Sequence, residues 1–320
     1  MFRALLGGLL LLLIPFAPLT AGEVVPEIEG DWWQIAGDPD LGKFTTEKQQ
    51  PVDFALWQAA DGTWQLWSCI RNTACGGNTR LFHGWEGESL TAENWKPLGI
   101  TMQADPEFGE SAGGVQAPHA IRHEGKFLMF YGDWANICMA ESDDGKKFTR
   151  VVNSEGRTGM FHEGENEHAR DPMILPVGDA FHCYYTAHST RSPEKNHRGV
   201  NYCRISKDLR NWGDTIVVAE GSRYAKGPYC AECPHVVFHP ESEAYFLFNT
   251  QRYGEKNHTT VFRSRDPLAF GVNDASREVA TLDIAAPEVV LHEGRYYIAS
   301  LLPSLKGIRL AKLAWRPVAE

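Results

Sequence analysis

The feature of this sequence that most constrains its fold is a segment of one design that occurs five times. Each copy opens with a small or proline-containing stretch, continues through an apolar or β-branched run, turns, and ends in an aromatic-rich run. The copies begin at Pro51, Ala117, Arg170, Glu232 and Ala286. Their spacing of roughly 50 to 65 residues is the size of a propeller blade with its loops.

Each copy is predicted to form a β-hairpin. Val, Ile, Tyr, Phe and Trp dominate both runs, and these residues favour pleated strands. The turns contain residues that accept the positive φ of tight hairpins: Asp61-Gly62, Glu124-Gly125, Gly178-Asp179, Glu293-Gly294 and a longer turn at 240–243. Further strand-like stretches follow each hairpin, so the sequence predicts an all-β protein, a five-bladed β-propeller with a central funnel. A β-sandwich is the alternative, but it does not predict five openings of one type.

The N-terminus is typical of a secretory signal peptide, which we predict for residues 1–22. Arg3 precedes a run of mostly Leu, Ile, Gly and Phe, and small residues follow at 20–22. An uncleaved membrane anchor is the alternative, but Pro15 and Pro18 interrupt the run, and about 20 apolar residues are needed to span a bilayer. We therefore expect a secreted or periplasmic protein without a membrane anchor after cleavage.

The remaining residues, 23–320, are predicted to form one propeller domain. Residues 29–33 precede the first copy of the repeat and are expected to supply an outer strand that closes the ring with the last blade. The net charge of −10 argues against nucleic acid or an anionic membrane surface as a partner. It is compatible with a neutral or a cationic substrate.

Seven cysteines are present in a chain that is predicted to be exported. Export permits disulfides, and an odd count leaves at least one thiol without a partner in the chain. Proximity along the chain favours Cys69 with Cys75 and Cys183 with Cys203. The CxxC spacing at 230–233 has no second pair that would complete a zinc site.

Almost every copy of the repeat carries an ionisable group at its opening. The innermost strands of a propeller begin around a central channel, so these groups are expected to converge on one funnel. They are Asp53, His119, Arg170 with Asp171, Glu232 with His235, and Glu288. Capping of strand ends is the structural alternative, but a ring of like charges costs free energy and calls for a reason. Carboxylates that face a sugar are the groups that cleave glycosidic bonds.

The sequences of two of these openings resemble motifs of known enzymes. Arg170-Asp171-Pro172, then Glu232-Cys233-Pro234, in five blades of this order, resemble the five-bladed glycoside hydrolases of families 32 and 43, which include invertases, fructanases, arabinanases and xylosidases. The resemblance implies three catalytic carboxyls: Asp53 as nucleophile or base, Asp171 as the middle carboxyl that stabilises charge, and Glu232 as general acid. The first blade departs from the families' Asp-Pro pattern, since this chain has Val-Asp-Phe there. Asp53 is assigned because it is expected to share the register of His119, His235 and Glu288.

Other residues of the funnel are predicted to bind substrate. These are Arg170, His119, His235, Glu288 and Trp134. The guanidinium of Arg170 can bind a carboxylate or a substrate oxygen through two hydrogen bonds, and Trp134 offers an aromatic face for a sugar ring. No cofactor is predicted, although the resemblance to family 43 is compatible with an axial calcium ion.

Three alternatives remain open at this point. The first is a non-catalytic carbohydrate-binding propeller that keeps the fold and the sugar. The second is a sialidase-type hydrolase, because the segment from Ser142 to Phe148 resembles the Asp-box turn of those six-bladed enzymes. The third is a structural propeller that serves as a scaffold, which would leave the ionisable openings unexplained.

Overall fold

The structure, a computed structural model, describes residues 22–163, 169–188, 199–224, 227 and 229–318. The predicted signal peptide therefore lies outside the described residues, apart from Gly22. Strands dominate this part of the chain, and they are joined by 3-10 helices at Gly42–Phe44, Pro106–Phe108, Pro240–Ser242, Gly254–Lys256 and Ala275–Arg277. No helix within the described ranges is long and apolar enough to cross a membrane.

The strands are numbered in chain order. They are β1 (Val24–Gly37), β2 (Gln50–Gln58), β3 (Trp64–Arg71), β4 (Leu81–Gly87), β5 (Lys96–Met102), β6 (Gln116–His123), β7 (Lys126–Gly132), β8 (Ile137–Ser142), β9 (Thr149–Arg150), β10 (Gly159–Phe161), β11 (Arg170–Val177), β12 (Ala180–His188), β13 (Gly199–Ser206), β14 (Ile216–Glu220), β15 (Glu232–His239), β16 (Ala244–Arg252), β17 (His258–Ser264), β18 (Gly271–Val272), β19 (Glu278–Leu282), β20 (Glu288–His292), β21 (Arg295–Leu301) and β22 (Gly307–Pro317).

These strands form five separate sheets, which are the five blades of a propeller. The sheets have the orders β2-β3-β4-β5, β6-β7-β8-β10, β11-β12-β13-β14-β18, β15-β16-β17-β19 and β20-β21-β22-β1. Each blade begins with one of the five predicted hairpins. The prediction of a five-bladed propeller is thus confirmed, and the six blades of a sialidase are excluded.

The first strand of the chain completes the last blade. β1 pairs antiparallel with β22, in a register that runs from Val24 opposite Pro317 to Gly37 opposite Gly307. This outer strand ties the two ends of the chain together by backbone hydrogen bonds, as expected for residues 29–33. Closing the ring in this way leaves only short sheet edges at the rim of each blade.

Apolar side chains between neighbouring blades form the core. Trp57 and Trp67 of the first blade meet Phe148 of the second edge to face, with ring centroids 5.8 and 5.2 Å apart. The indole of Trp57 also donates to the carbonyl oxygen of Gly145 at 2.7 Å. Both tryptophans are buried, so they are core residues.

The turn that resembles an Asp-box is a structural element that recurs. A serine hydroxyl and an aspartate two residues later accept hydrogen bonds from the backbone after the third strand of a blade. The pairs are Ser142 with Asp144, Ser206 with Asp208, and Ser264 with Asp266. Such Asx and ST turns satisfy backbone donors at a tight bend and need no catalytic explanation.

Cys69, Cys75, Cys183 and Cys203 form no disulfide, which contradicts the two expected pairs. Cys183 lies opposite Arg204, and Cys203 lies opposite Tyr184, in the β12–β13 register. The two cysteines therefore differ by one residue in the register of the two strands. Because successive side chains of a strand point to opposite faces, Cys183 and Cys203 lie on opposite faces of the sheet. The sheet itself separates their sulfur atoms.

Candidate active site

One residue at the opening of each blade has a left-handed backbone. The φ values are 35° at Asp53, 48° at Ala117, 58° at Asp171, 48° at Cys233 and 49° at Ala286. Four of them lie in a register shift of the first hairpin, where one strand carries an extra residue. A bulge of this kind turns its side chain away from the pleat. Positive φ is uncommon for residues other than glycine and is concentrated at functional sites.

The five left-handed residues correct the predicted register of Asp53. Asp53 is equivalent to Asp171 and not, as expected, to His119, His235 and Glu288, which lie two residues after the left-handed position. Two residues of extended strand advance about 6 to 7 Å along the chain. The histidines and Glu288 therefore belong to a second ring, deeper in the channel.

A pocket of about 380 Å³ opens on the side of the left-handed residues. This volume suits a ligand of one or a few sugar rings. The three predicted catalytic residues Asp53, Asp171 and Glu232 line it together, and so do Arg170 and Trp134. The remaining lining residues were missed by the sequence analysis: Arg71, Arg80, Gln116, Tyr229 and Tyr253.

Arg170 connects two of the carboxyls. Its Nη2 and Nε donate to Oε1 of Glu232 at 2.8 and 3.2 Å, and its Nε lies 3.9 Å from Oδ2 of Asp171. Asp171 also accepts a hydrogen bond from the backbone N–H of Cys233 at 3.0 Å. Burial raises the pKa of Asp171 from 3.8 to about 8, and the charge of Asp53 adds to the rise. Asp171 therefore keeps its proton at neutral pH.

Asp53 is held by two donors from the fourth blade. The thiol of Cys233 donates to its Oδ1 at 3.2 Å, and the hydroxyl of Tyr253 donates to the same oxygen at 3.3 Å. Burial raises the pKa of Tyr253 and of Cys233 well above their ordinary values, with Asp53 the next cause for both. Both groups therefore remain protonated donors. The two hydrogen bonds join residues that are 180 and 200 positions apart in the chain.

Two of the missed residues, Arg71 and Tyr253, share a position that could have pointed to them. The second strand of each hairpin runs antiparallel to the first, so its C-terminal end lies beside the opening of the first strand. Arg71 lies opposite Gln50 in this way, and Tyr253 directly follows β16. A search for polar and aromatic residues at the ends of the second strands would have found both.

The deeper ring faces the other end of the channel. His119, His235 and Glu288 line a separate pocket there. Glu288 also lines a narrow cavity that Asp53 and Asp171 share. Burial lowers the pKa of His119, which is therefore neutral near pH 7. Nδ1 of His235 lies 3.4 Å from Oε2 of Glu288, and its Nε2 accepts a hydrogen bond from the backbone of Val289. The substrate-binding role of these three residues stays a prediction.

The residues of the channel do not fit a calcium ion held by protein alone. Ca²⁺ takes six to eight oxygen ligands. The deeper ring offers the single carboxylate of Glu288, and nowhere in the described ranges do three His, Cys, Asp or Glu side chains come together as ligands. No chemical step is therefore assigned to a metal.

Comparison with known proteins gives one family. The family model described as "Glycosyl hydrolases family 43" matches residues 82–283, well over half of the 320 residues. No curated protein sequence matches the chain.

Solved structures share the fold at low sequence identity. A thermostable family-43 glycoside hydrolase is 15% identical, with a TM-score of 0.64 over 86% of this chain and 92% of that chain. An endo-arabinase from Bacteroides thetaiotaomicron is 14% identical, with a TM-score of 0.60 over 85% and 95%. The GH32 beta-fructofuranosidase BmSUC1 from Bombyx mori is 14% identical, with a TM-score of 0.60 over 89% of this chain and 65% of that chain.

Proposed function

The chain belongs to glycosyl hydrolase family 43, and from this we propose that Asp53, Asp171 and Glu232 cleave a glycosidic bond in an oligo- or polysaccharide. The protein is a glycoside hydrolase with a carbohydrate substrate, rather than a scaffold or a non-catalytic sugar-binding propeller. The finer assignment of roles to individual residues is the proposal.

The observation that supports the assignment is the convergence of three carboxyls from three blades on one pocket. Asp53 comes from the first blade, Asp171 from the third and Glu232 from the fourth. Glycoside cleavage needs one carboxylic acid at the leaving oxygen and one carboxylate at the anomeric carbon. A pocket that contains Asp53, Asp171 and Glu232 supplies the acid, the carboxylate and a third carboxyl.

In the proposed reaction, Glu232 transfers its proton to the glycosidic oxygen while the bond from that oxygen to the anomeric carbon breaks. Asp53 takes a proton from the water that attacks this carbon, or attacks the carbon itself as a nucleophile. Tyr253 and Cys233 orient the carboxylate of Asp53 through their hydrogen bonds to Oδ1.

Asp171 and Arg170 support these two groups. Asp171 is neutral near pH 7, because burial and the charge of Asp53 raise its pKa to about 8. The protonated carboxyl can therefore donate a hydrogen bond to a sugar hydroxyl. Arg170 fixes the carboxyl of Glu232 by two hydrogen bonds.

The acid role of Glu232 is tested by Glu232→Gln with substrates of different leaving groups. A leaving group of low pKa departs without a proton, whereas a sugar alcohol needs one. Glu232→Gln is therefore expected to lose about 10²- to 10⁴-fold in kcat on an oligosaccharide and far less on the 2,4-dinitrophenyl glycoside of the same sugar. The exposed Glu88→Gln is the matched control. Equal losses on both substrates would remove Glu232 from the acid role.

The role of Asp53 is tested by the anomer that is released first. Proton NMR during hydrolysis distinguishes a product of inverted configuration, which assigns Asp53 as base, from a retained one, which assigns it as nucleophile. Asp53→Asn is expected to abolish either reaction. Activity of Asp53→Asn close to that of the unmodified protein would show that the first carboxylate lies elsewhere.

The proposal includes export of the chain. Residues 1–22 are proposed to be a signal peptide, and residues 23–320 to be one mature domain that acts in the periplasm or outside the cell. The support is the apolar N-terminal run after Arg3. Intact-mass measurement of the protein from a periplasmic or culture fraction is expected to give a chain that begins at Glu23. A mass that includes the leader would contradict cleavage.

A further inference from the structure

Two arginines of the catalytic pocket are not neutralised. Arg71 and Arg80 both line it and are half-buried. Within the described part of the chain, neither guanidinium lies in an ion pair with an aspartate or a glutamate. The third arginine of the pocket, Arg170, is by contrast paired with Glu232.

Neutral contacts hold the two guanidinium groups in place. Nε of Arg71 donates to Oε1 of Gln50 at 2.9 Å, and its guanidinium lies 5.9 Å from the ring centre of Tyr253. These contacts leave both terminal amino groups of Arg71 without a hydrogen bond to the residues that the structure describes. The side chain is thus fixed near Tyr253 with its strongest donors unused.

Arg80 is fixed in a similar way on the side of Trp134. Its guanidinium lies 4.6 Å from the centre of the Trp134 ring, and Nη1 donates to the carbonyl oxygen of Asn78 at 3.0 Å. Its Nε is buried and has no hydrogen-bond partner among the described residues. Stacking on an indole is a common way to hold an arginine that binds a carboxylate or another oxyanion.

Gln116 adds a third unused donor. Only 4% of this residue is exposed, and it lines the same pocket. Its Nε2 is buried without a hydrogen-bond partner in the described ranges. A buried donor that is left unpaired costs about 1–3 kcal/mol. A ligand that brings acceptor oxygens into the pocket would meet the unused terminal amino groups of Arg71 and Arg80.

The charges of the described residues that line the pocket do not balance near neutral pH. Three of these residues are arginines and three are carboxyls, and one of the carboxyls, Asp171, is neutral because its pKa is raised to about 8. These lining residues therefore carry a positive excess inside a chain of net charge −10. The whole-chain charge, which agreed with a neutral or cationic substrate, describes the outer surface and not this site.

We propose that the pocket selects an anionic sugar: a residue whose carboxylate or sulfate ester is bound by Arg71 and Arg80. A guanidinium binds either oxyanion through two parallel hydrogen bonds, which a neutral hydroxyl cannot match in charge. The proposal rests on the proposed glycoside hydrolysis and names the class of substrate for the same pocket.

The test compares each oligosaccharide with its own neutral form. Uronate-containing oligosaccharides are paired with their carboxyl-reduced products, and sulfated oligosaccharides with their desulfated products, which keeps sugar and linkage the same within each pair. We expect kcat/KM to be at least about 10-fold higher for the anionic member of one pair, as a charge-assisted hydrogen bond implies. The pair that shows the preference identifies the group as carboxylate or sulfate.

Substitution of the two arginines locates the preference. Arg71→Gln and Arg80→Gln are each expected to lower the preference, which is the ratio of kcat/KM for the anionic member to that for the neutral member, by about 10-fold or more. The exposed Arg295→Gln, in the turn of the fifth hairpin, is the matched control. Equal rates for the two members of every pair, or equal losses on both, would overturn the proposal.

A binding measurement separates this inference from the catalytic proposal. Calorimetry on Glu232→Gln with the same pairs at low salt measures selection without turnover. Tighter binding of the anionic member, lost in a second variant with Arg80→Gln, would support the inference even if no substrate were cleaved. Equal affinities together with hydrolysis of neutral oligosaccharides would reject the inference and keep the proposed function.

Discussion

Replacing Asp171 by asparagine is expected to make the folded state less sensitive to alkaline pH. Asparagine has the same shape, tolerates the left-handed backbone of this position (φ 58°), and can still accept the hydrogen bond from the N–H of Cys233. The substitution therefore removes a titrating group from a buried site and leaves the local geometry intact. Only 5% of Asp171 is exposed.

The sign follows from the raised pKa. Burial, with the charge of Asp53, raises the pKa of Asp171 from 3.8 to about 8. Between these values the folded protein holds a proton at Asp171 that the unfolded chain has released. The free energy of unfolding therefore falls as pH rises, by about 1.4 kcal/mol for each pH unit. From pH 5 to pH 8 the loss is on the order of 4 kcal/mol, and above pH 8 it levels off.

Urea unfolding of the unmodified protein and of Asp171→Asn at pH 5, 7 and 9 measures this difference. The variant is expected to gain relative stability with rising pH, mostly between pH 5 and pH 8. Asp208→Asn is the control, because hydrogen bonds from Asn211 and Arg210 hold the pKa of that exposed carboxyl well below its usual range. Its effect is expected to be the same at all three pH values. A stability difference for Asp171→Asn that changes by less than about 1 kcal/mol from pH 5 to pH 9 would refute the reasoning.

Two further outcomes are expected from single substitutions. Glu110→Gln should destabilise the fold by about 3–5 kcal/mol in urea unfolding, because its fully buried carboxylate is paired with Arg150 at 2.8 Å. The control is Lys207→Gln, which removes an exposed ion pair and should cost less than about 1 kcal/mol. A similar cost for both variants would contradict this prediction. Tyr253→Phe should lower kcat and leave KM nearly unchanged, because the lost hydrogen bond orients Asp53. A change confined to KM would instead make Tyr253 a substrate-binding residue.

Much of the fold could be predicted because each blade begins with a hairpin formed by neighbouring segments of the chain. A hairpin forms between neighbouring segments, so its turn residues and its β-branched runs are visible in the sequence. Glu124-Gly125 and Glu293-Gly294, for example, both adopt positive φ in tight turns, as expected. Repetition of this local signal was sufficient to count the blades, and the two motifs at Asp171 and Glu232 pointed to the family.

The depth of each side chain in the channel was not visible in the sequence. The left-handed residue at Asp53 inserts one extra residue in its strand, and no turn residue or glycine marks it. Asp53 was therefore expected to share the register of His119 and His235, which lie in the deeper ring. A similar shift by one residue separates Cys183 from Cys203 across the sheet.

The amino-acid sequence by itself determined the number of blades and the closing strand, because these depend on local patterns that repeat, and its resemblance to a known family supplied the three candidate carboxyls. Only the tertiary structure decided which groups surround them: Tyr253 and Cys233 at Asp53, and Arg71 and Arg80 across the same pocket. The physical reason is that the pocket is formed where ends of different strands meet. Pairing between those strands, and the bulges that shift it, are settled by packing of whole blades and not by any one segment of the chain.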